Sequence, residues 1–94
     1  MPPDLPPIRY AGRAADVRDR LPDDVGALLV TDLVNIRWLT GFTGSNALVA
    51  VLPDEVVLVT DGRYADRAAA ETTARIEVGF TQPEQLKLFV SALA

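Results

Sequence analysis

The chain contains no histidine and no cysteine among its 94 residues. Without histidine it lacks the commonest general base and the commonest nitrogen ligand for a metal. Unaided catalysis would have to rest on carboxylates, hydroxyls, tyrosine or Lys87, the sole lysine. Without cysteine there is no disulfide framework and no thiolate metal site, which bounds the compartment only loosely; a cytoplasmic location is expected. Positive charge is also short. Nine basic residues face thirteen acidic ones, a net charge of −4, which argues against sequence-independent binding to nucleic acid or to anionic membranes. No apolar run approaches the roughly 20 residues that span a bilayer, and the first residues show no basic segment followed by an apolar one, so no targeting segment is expected. A hydrophobic content of 49% in a chain of this length predicts a single domain with one modest core.

What is present is an alternation of helical and strand patterns. Pro2, Pro3, Pro6 and Pro7 predict an extended lead-in, because each lacks an amide donor and restricts the residue before it. Over residues 11–21, Ala14, Val17 and Leu21 fall at helical spacing and Pro22 marks the stop. Residues 27–31 form a compact apolar run that predicts a strand buried on both faces. Asp32 then caps a short helix over residues 33–39, which stops at Gly41. Residues 46–52 and 56–60 predict an antiparallel hairpin around Pro53, Asp54 and Glu55. A helix over residues 63–72 leads to a strand at residues 75–78, implying a right-handed crossover. Thr81 and Glu84 have capping-box spacing before a final helix whose apolar stripe is Leu86, Phe89, Val90 and Leu93. No Gly, Asn or Pro closes that helix before Ala94, so a longer native protein is expected. The pattern adds up to a three-layer α/β/α fold, with helices on both faces of a mixed sheet.

Four places could carry chemistry. Residues 40–45, Thr-Gly-Phe-Thr-Gly-Ser, form a Gly/Thr/Ser loop of the kind whose backbone amides can cradle phosphate. It lacks the Gly-Lys-Ser/Thr ending and precedes a strand, so a tight connection with glycines at demanding backbone angles is the favoured interpretation. Asp61 ends an apolar strand, where an aspartyl phosphotransfer site could sit, but Val59 and Arg63 stand where a companion acid is needed. A helix-capping role over Gly62 is favoured. Trp38 could wall a ligand pocket, although large aromatics in small domains usually pack in the core. Arg63 and Arg67 could hold a carboxylate, or simply pair with Asp66 or Glu71 on a solvated face.

The block Asn-Ile-Arg-Trp-Leu-Thr-Gly-Phe-Thr-Gly-Ser-Asn at residues 35–46, followed by Thr-Asp-Gly-Arg-Tyr at residues 60–64, resembles the amino-terminal domain of the creatinase, prolidase and Xaa-Pro aminopeptidase group of metallopeptidases. The resemblance extends over nearly the whole chain, with Trp38 where family members commonly carry Tyr. It implies a creatinase amino-terminal domain-like fold with a ribonuclease H-like motif over residues 1–94. A catalytic pita-bread domain would lie outside this chain and hold two divalent metals (Mn, Co or Zn). The parent would then be a metal-dependent peptidase that cleaves before proline in peptides, with creatine or another amidine as the open alternative, and this chain alone would be non-catalytic. The implied partners are the chain's own catalytic domain and a second subunit, in a homodimer or homotetramer. By analogy, Trp38 and Phe42 would offer apolar walls at the rim of the neighbouring subunit's active site, with Arg37 as a charge for a substrate or subunit contact. Asp61, Gly62, Arg63 and Tyr64 would form a structural strand-to-helix corner, and no residue here would bind metal. A stand-alone interaction or regulatory module is the competing expectation.

Overall fold

The computed structural model describes residues 12–93, so the proline-rich lead-in at residues 1–8 lies outside the described residues. The elements in chain order are α1 (Arg13–Asp19), β1 (Leu28–Val30), α2 (Leu33–Thr40), β2 (Ala47–Val51), β3 (Val56–Thr60), α3 (Ala65–Glu71), β4 (Arg75–Val78) and α4 (Gln82–Ala92). The strands form one mixed sheet in the order β1-β2-β3-β4. The first three are antiparallel and β4 runs parallel to β3.

The hairpin forms where the turn chemistry places it. Val51 pairs with Val56, and the Leu52 amide donates to the Glu55 carbonyl at 2.8 Å, closing the turn through Pro53 and Asp54. Helix α1 is tied to this turn, because Arg18 Nε donates to the Leu52 carbonyl at 2.5 Å. Helix α2 starts and stops on the expected residues. Asp32 Oδ1 accepts from the Val34 amide at 2.9 Å, and Gly41, at φ 84°, turns the chain out of the helix while its amide closes on the Arg37 carbonyl.

Alternation along β2 and β3 divides the interior in two. Val49, Val51 and Leu58 face one side of the sheet, where Ile36 and Leu39 of α2, Ala68 of α3, and Ala14 and Val17 of α1 pack on them. Ala50, Val57 and Val59 face the other, covered by Leu88, Phe89 and Ala92 of α4. The result is the three-layer α/β/α arrangement with a mixed sheet that the sequence predicts.

Two expectations are corrected. Strand β1 is not buried on both faces. Leu28 and Val30 pack inward, but Leu29 is 48% exposed, because β1 is an edge strand and α4 covers only β2 and β3 on that side. The stripe expected on α4 is also rotated. Gln85, Leu88, Phe89 and Ala92 face the sheet, while Leu86, Val90 and Leu93 are exposed.

Core position rather than residue type should set mutational cost. Leu58, at 0% exposure between the helices and the sheet, should lose about 2 to 5 kcal/mol on Leu58→Ala. Leu29→Ala on the open edge should lose less than about 1 kcal/mol. Urea unfolding of both variants checks the contrast, and equal losses would contradict the layer assignment.

Candidate functional site

Two motifs whose near ends, Asn46 and Thr60, lie 14 residues apart in sequence meet because β2 and β3 form a hairpin. Ala47, the first residue of β2, pairs with Thr60, the last of β3. The loop entering β2 (residues 40–46) therefore lies against the corner leaving β3 (residues 60–64). Thr60 Oγ1 donates to the Asn46 carbonyl at 2.5 Å, fixing the junction.

Asp61 is the hub of this contact, with 7% of its surface exposed. Its Oδ2 accepts from Asn46 Nδ2 at 2.8 Å and Arg63 Nη2 at 2.9 Å, while Oδ1 accepts from the Arg63 amide at 2.9 Å and Arg63 Nε at 3.1 Å. The Arg63 guanidinium, helped by the Asn46 amide and opposed by burial, holds the carboxyl well below the usual carboxylate range. Asp61 in turn raises the Arg63 guanidinium above its ordinary value. Both carboxylate oxygens are committed, which leaves no free nucleophile for aspartyl phosphotransfer. The favoured capping role is corrected as well. Helix α3 begins after Tyr64 with no side-chain cap, and Asp61 closes the preceding turn onto Arg63 instead.

Tyr64 braces the loop from below. Its ring packs edge-on against Phe42, centroids 5.9 Å apart, and its Oη shares a 2.6 Å hydrogen bond with Ser45 Oγ. That bond draws the phenol below its ordinary value. Arg63 and Arg67 lie over the same ring, 5.1 and 5.3 Å from its centre, so Arg67 does not take the expected partners Asp66 or Glu71. Glu71 goes to the loop. Its carboxylate accepts from the Thr43 amide and hydroxyl at 2.8 to 3.0 Å.

That contact also disposes of the phosphate cradle, since an internal carboxylate already occupies the Thr43 amide. The glycines serve the connection itself. Gly41 supplies the left-handed helix stop, and any Cβ on Gly44 would overlap the Phe42 ring. Glu71 was overlooked in the sequence as a partner of the loop. Nothing in its spacing from Thr43 signals the pair, which depends on the hairpin geometry.

The side chains expected at a substrate rim divide. Phe42 is not available as an apolar wall, because it is 1% exposed beneath Gly44 and against Tyr64. Trp38, for which residue type favours the core and the resemblance an outward apolar wall, is 51% exposed on α2 at the mouth of a cavity of about 390 Å³ shared with Val17, Leu29 and Asn35. The helix turns its Ile36 and Leu39 inward, and this places Trp38 outside. The Arg13 guanidinium lies 4.9 Å from its ring centre. Arg37, beside it, is exposed. Among the described residues no group of three or more His, Cys, Asp or Glu could hold a metal ion, so the two metals implied by the resemblance do not fit on these side chains. Nor is any described helix long and apolar enough to cross a membrane.

The chain belongs to the Creatinase/Prolidase N-terminal domain family, whose model matches residues 13–94. An Xaa-Pro aminopeptidase from Streptococcus pyogenes superposes with a TM-score of 0.70 at 33% identity, over 89% of this chain and 62% of that one. The X-prolyl aminopeptidase of Caenorhabditis elegans, a cytosolic enzyme with a di-nuclear active site, gives 0.65 at 25% identity over 82% of this chain and 16% of its own. The uncharacterized peptidase YqhT of Bacillus subtilis is 36% identical over 47 residues, half of this chain. The chain spans only 13% of the length of that curated relative.

Asp61 gives a pH-dependent prediction. A carboxyl held low in the folded state stabilises fully above about pH 4, the ordinary aspartate range, and less as pH falls towards its lowered value. Asp61→Asn should therefore melt below the wild type at pH 7, with the gap narrowing as the solution is acidified below about pH 4. A gap that stays constant over that range would remove Asp61 from its role as hub.

Proposed function

We propose that these residues are the non-catalytic amino-terminal domain of an Xaa-Pro aminopeptidase- or dipeptidase-like metallopeptidase. The match of residues 13–94 to this family, together with relatives far longer than the chain, carries the proposal. The parent would hydrolyse the bond before proline in a peptide, using two divalent ions (Mn, Co or Zn) bound outside these residues. The C. elegans relative's cytosolic, di-nuclear character supports both the metal pair and a cytoplasmic location.

Within that enzyme this domain would hold subunits together as a dimer or tetramer and form part of the rim of a neighbouring active site. Support comes from the exposed pair Arg37 and Trp38 beside the pinned loop. An indole that keeps half its surface in water can desolvate against a partner and also offer its N–H, a combination common at interfaces. Phe42 would act from beneath, by shaping the loop. The net charge of −4 makes nucleic acid and anionic membranes unsuitable partners.

Two measurements test the proposal. An antibody raised against the chain should detect in source cells a product several times heavier than 10.1 kDa. A product near 10.1 kDa would favour a stand-alone interaction module instead. The 94 residues alone should not turn over an Xaa-Pro dipeptide or tripeptide with added Mn, Co or Zn, and turnover that copurifies with the chain would sink the non-catalytic assignment.

A further inference from the structure

We infer that Glu71 is a positioning residue for substrate binding: its carboxylate clamps Thr43 and so sets the shape in which the 40–46 loop meets a substrate. The inference rests on the proposal that this domain, at the 40–46 loop and the neighbouring Arg37 and Trp38, forms part of the rim of a neighbouring subunit's peptide-binding active site.

The loop is held at both ends by contacts that do not involve Glu71. On the α2 side, Thr40 Oγ1 donates to the Ile36 carbonyl at 2.7 Å and accepts from the Phe42 amide at 3.2 Å, with Phe42 buried below. On the β2 side, Asn46 is fixed by Asp61 and Thr60. Between these anchors only the turn at Thr43, Gly44 and Ser45 reaches solvent, and Thr43 and Ser45 are its exposed residues. Ser45 is held through one hydroxyl bond to Tyr64, whereas Thr43 gives both its amide and its hydroxyl to Glu71. The last residue of α3 thus supplies both of the Thr43 contacts.

A carboxylate that accepts from a backbone amide and the same residue's hydroxyl fixes two torsional freedoms at once. Losing it frees the tip while leaving both anchors of the loop in place, since the Glu71 carboxylate bonds to Thr43 and the anchors at Thr40 and Asn46 are held by other groups. A loop that must be re-ordered when substrate arrives weakens binding by the cost of ordering it, and leaves the chemical step of a separate catalytic centre largely untouched.

The test uses the native-length protein and a proline-containing tripeptide. Glu71→Ala should raise KM about three- to tenfold with kcat within about twofold of wild type. Glu71→Gln, which keeps one acceptor oxygen, should recover part of the loss, and Thr43→Val should add little once Glu71 is already Ala. In the same variants the Thr43 amide should exchange with solvent faster than in wild type, while the melting temperature changes little. An unchanged KM in an active Glu71→Ala enzyme overturns the inference, as does a loss confined to kcat. A wild-type protein of native length that cleaves no Xaa-Pro peptide overturns the underlying functional proposal, and the positioning role falls with it.

Discussion

A carboxylate with both oxygens satisfied by neighbours from two different segments is what makes one unit out of the surface described here. Asp61 sits at the end of β3, where its side chain must either be solvated or find donors. It finds Asn46 across the hairpin and Arg63 two residues on. Because the loop and the corner share this hub, the positions of Tyr64, Ser45, Thr43 and Glu71 follow from it. Tyr64 emerges from the turn that Asp61 closes, α3 starts immediately after, and Glu71 is carried by that helix to the loop tip. A shift of the corner would move all of these together.

Beneath that surface the domain is supported by a sheet with an interior on each face. β2 and β3 contribute alternate residues to both, so the two central strands are the only ones covered on both sides among the described residues. This is why β2 and β3 read as continuous apolar runs while β4 alternates. The exposed apolar residues gather away from that centre, on α4 and along α2 and β1. Such surfaces are common where a domain meets another part of an assembly.

Much of the fold was legible in the residues because its signals are local. The Asp32 cap, the Gly41 stop, the turn around Pro53 and the spacing of Thr81 each act within a few residues, and each appears in the structure. What was misjudged depends on distant neighbours. Leu29 looks like any core leucine until the sheet order makes its strand an edge, and Leu86, Val90 and Leu93 look inward-facing until Gln85 and Phe89 take that side. The candidate site divides in the same way. The two motifs were visible, but which of their side chains face out was not: Phe42, expected beside Trp38 as an outward apolar wall, is buried, while Trp38 stays out instead of joining the core. Glu71 had no signal at all, because a hydrogen bond across 28 residues leaves no mark on local spacing.

Strand order carries a last consequence, for how the chain reaches its fold. Each strand pairs with the next one along the chain, from β1 to β4. Among the described residues no strand has to wait for a later segment to be inserted between it and its neighbour, as happens in doubly wound sheets. Sequence separations between contacting strands stay short, and loops of that size close at small entropic cost. The sheet can therefore grow outward from the central hairpin by adding one strand on either side, a route that suits rapid assembly of a domain of this size.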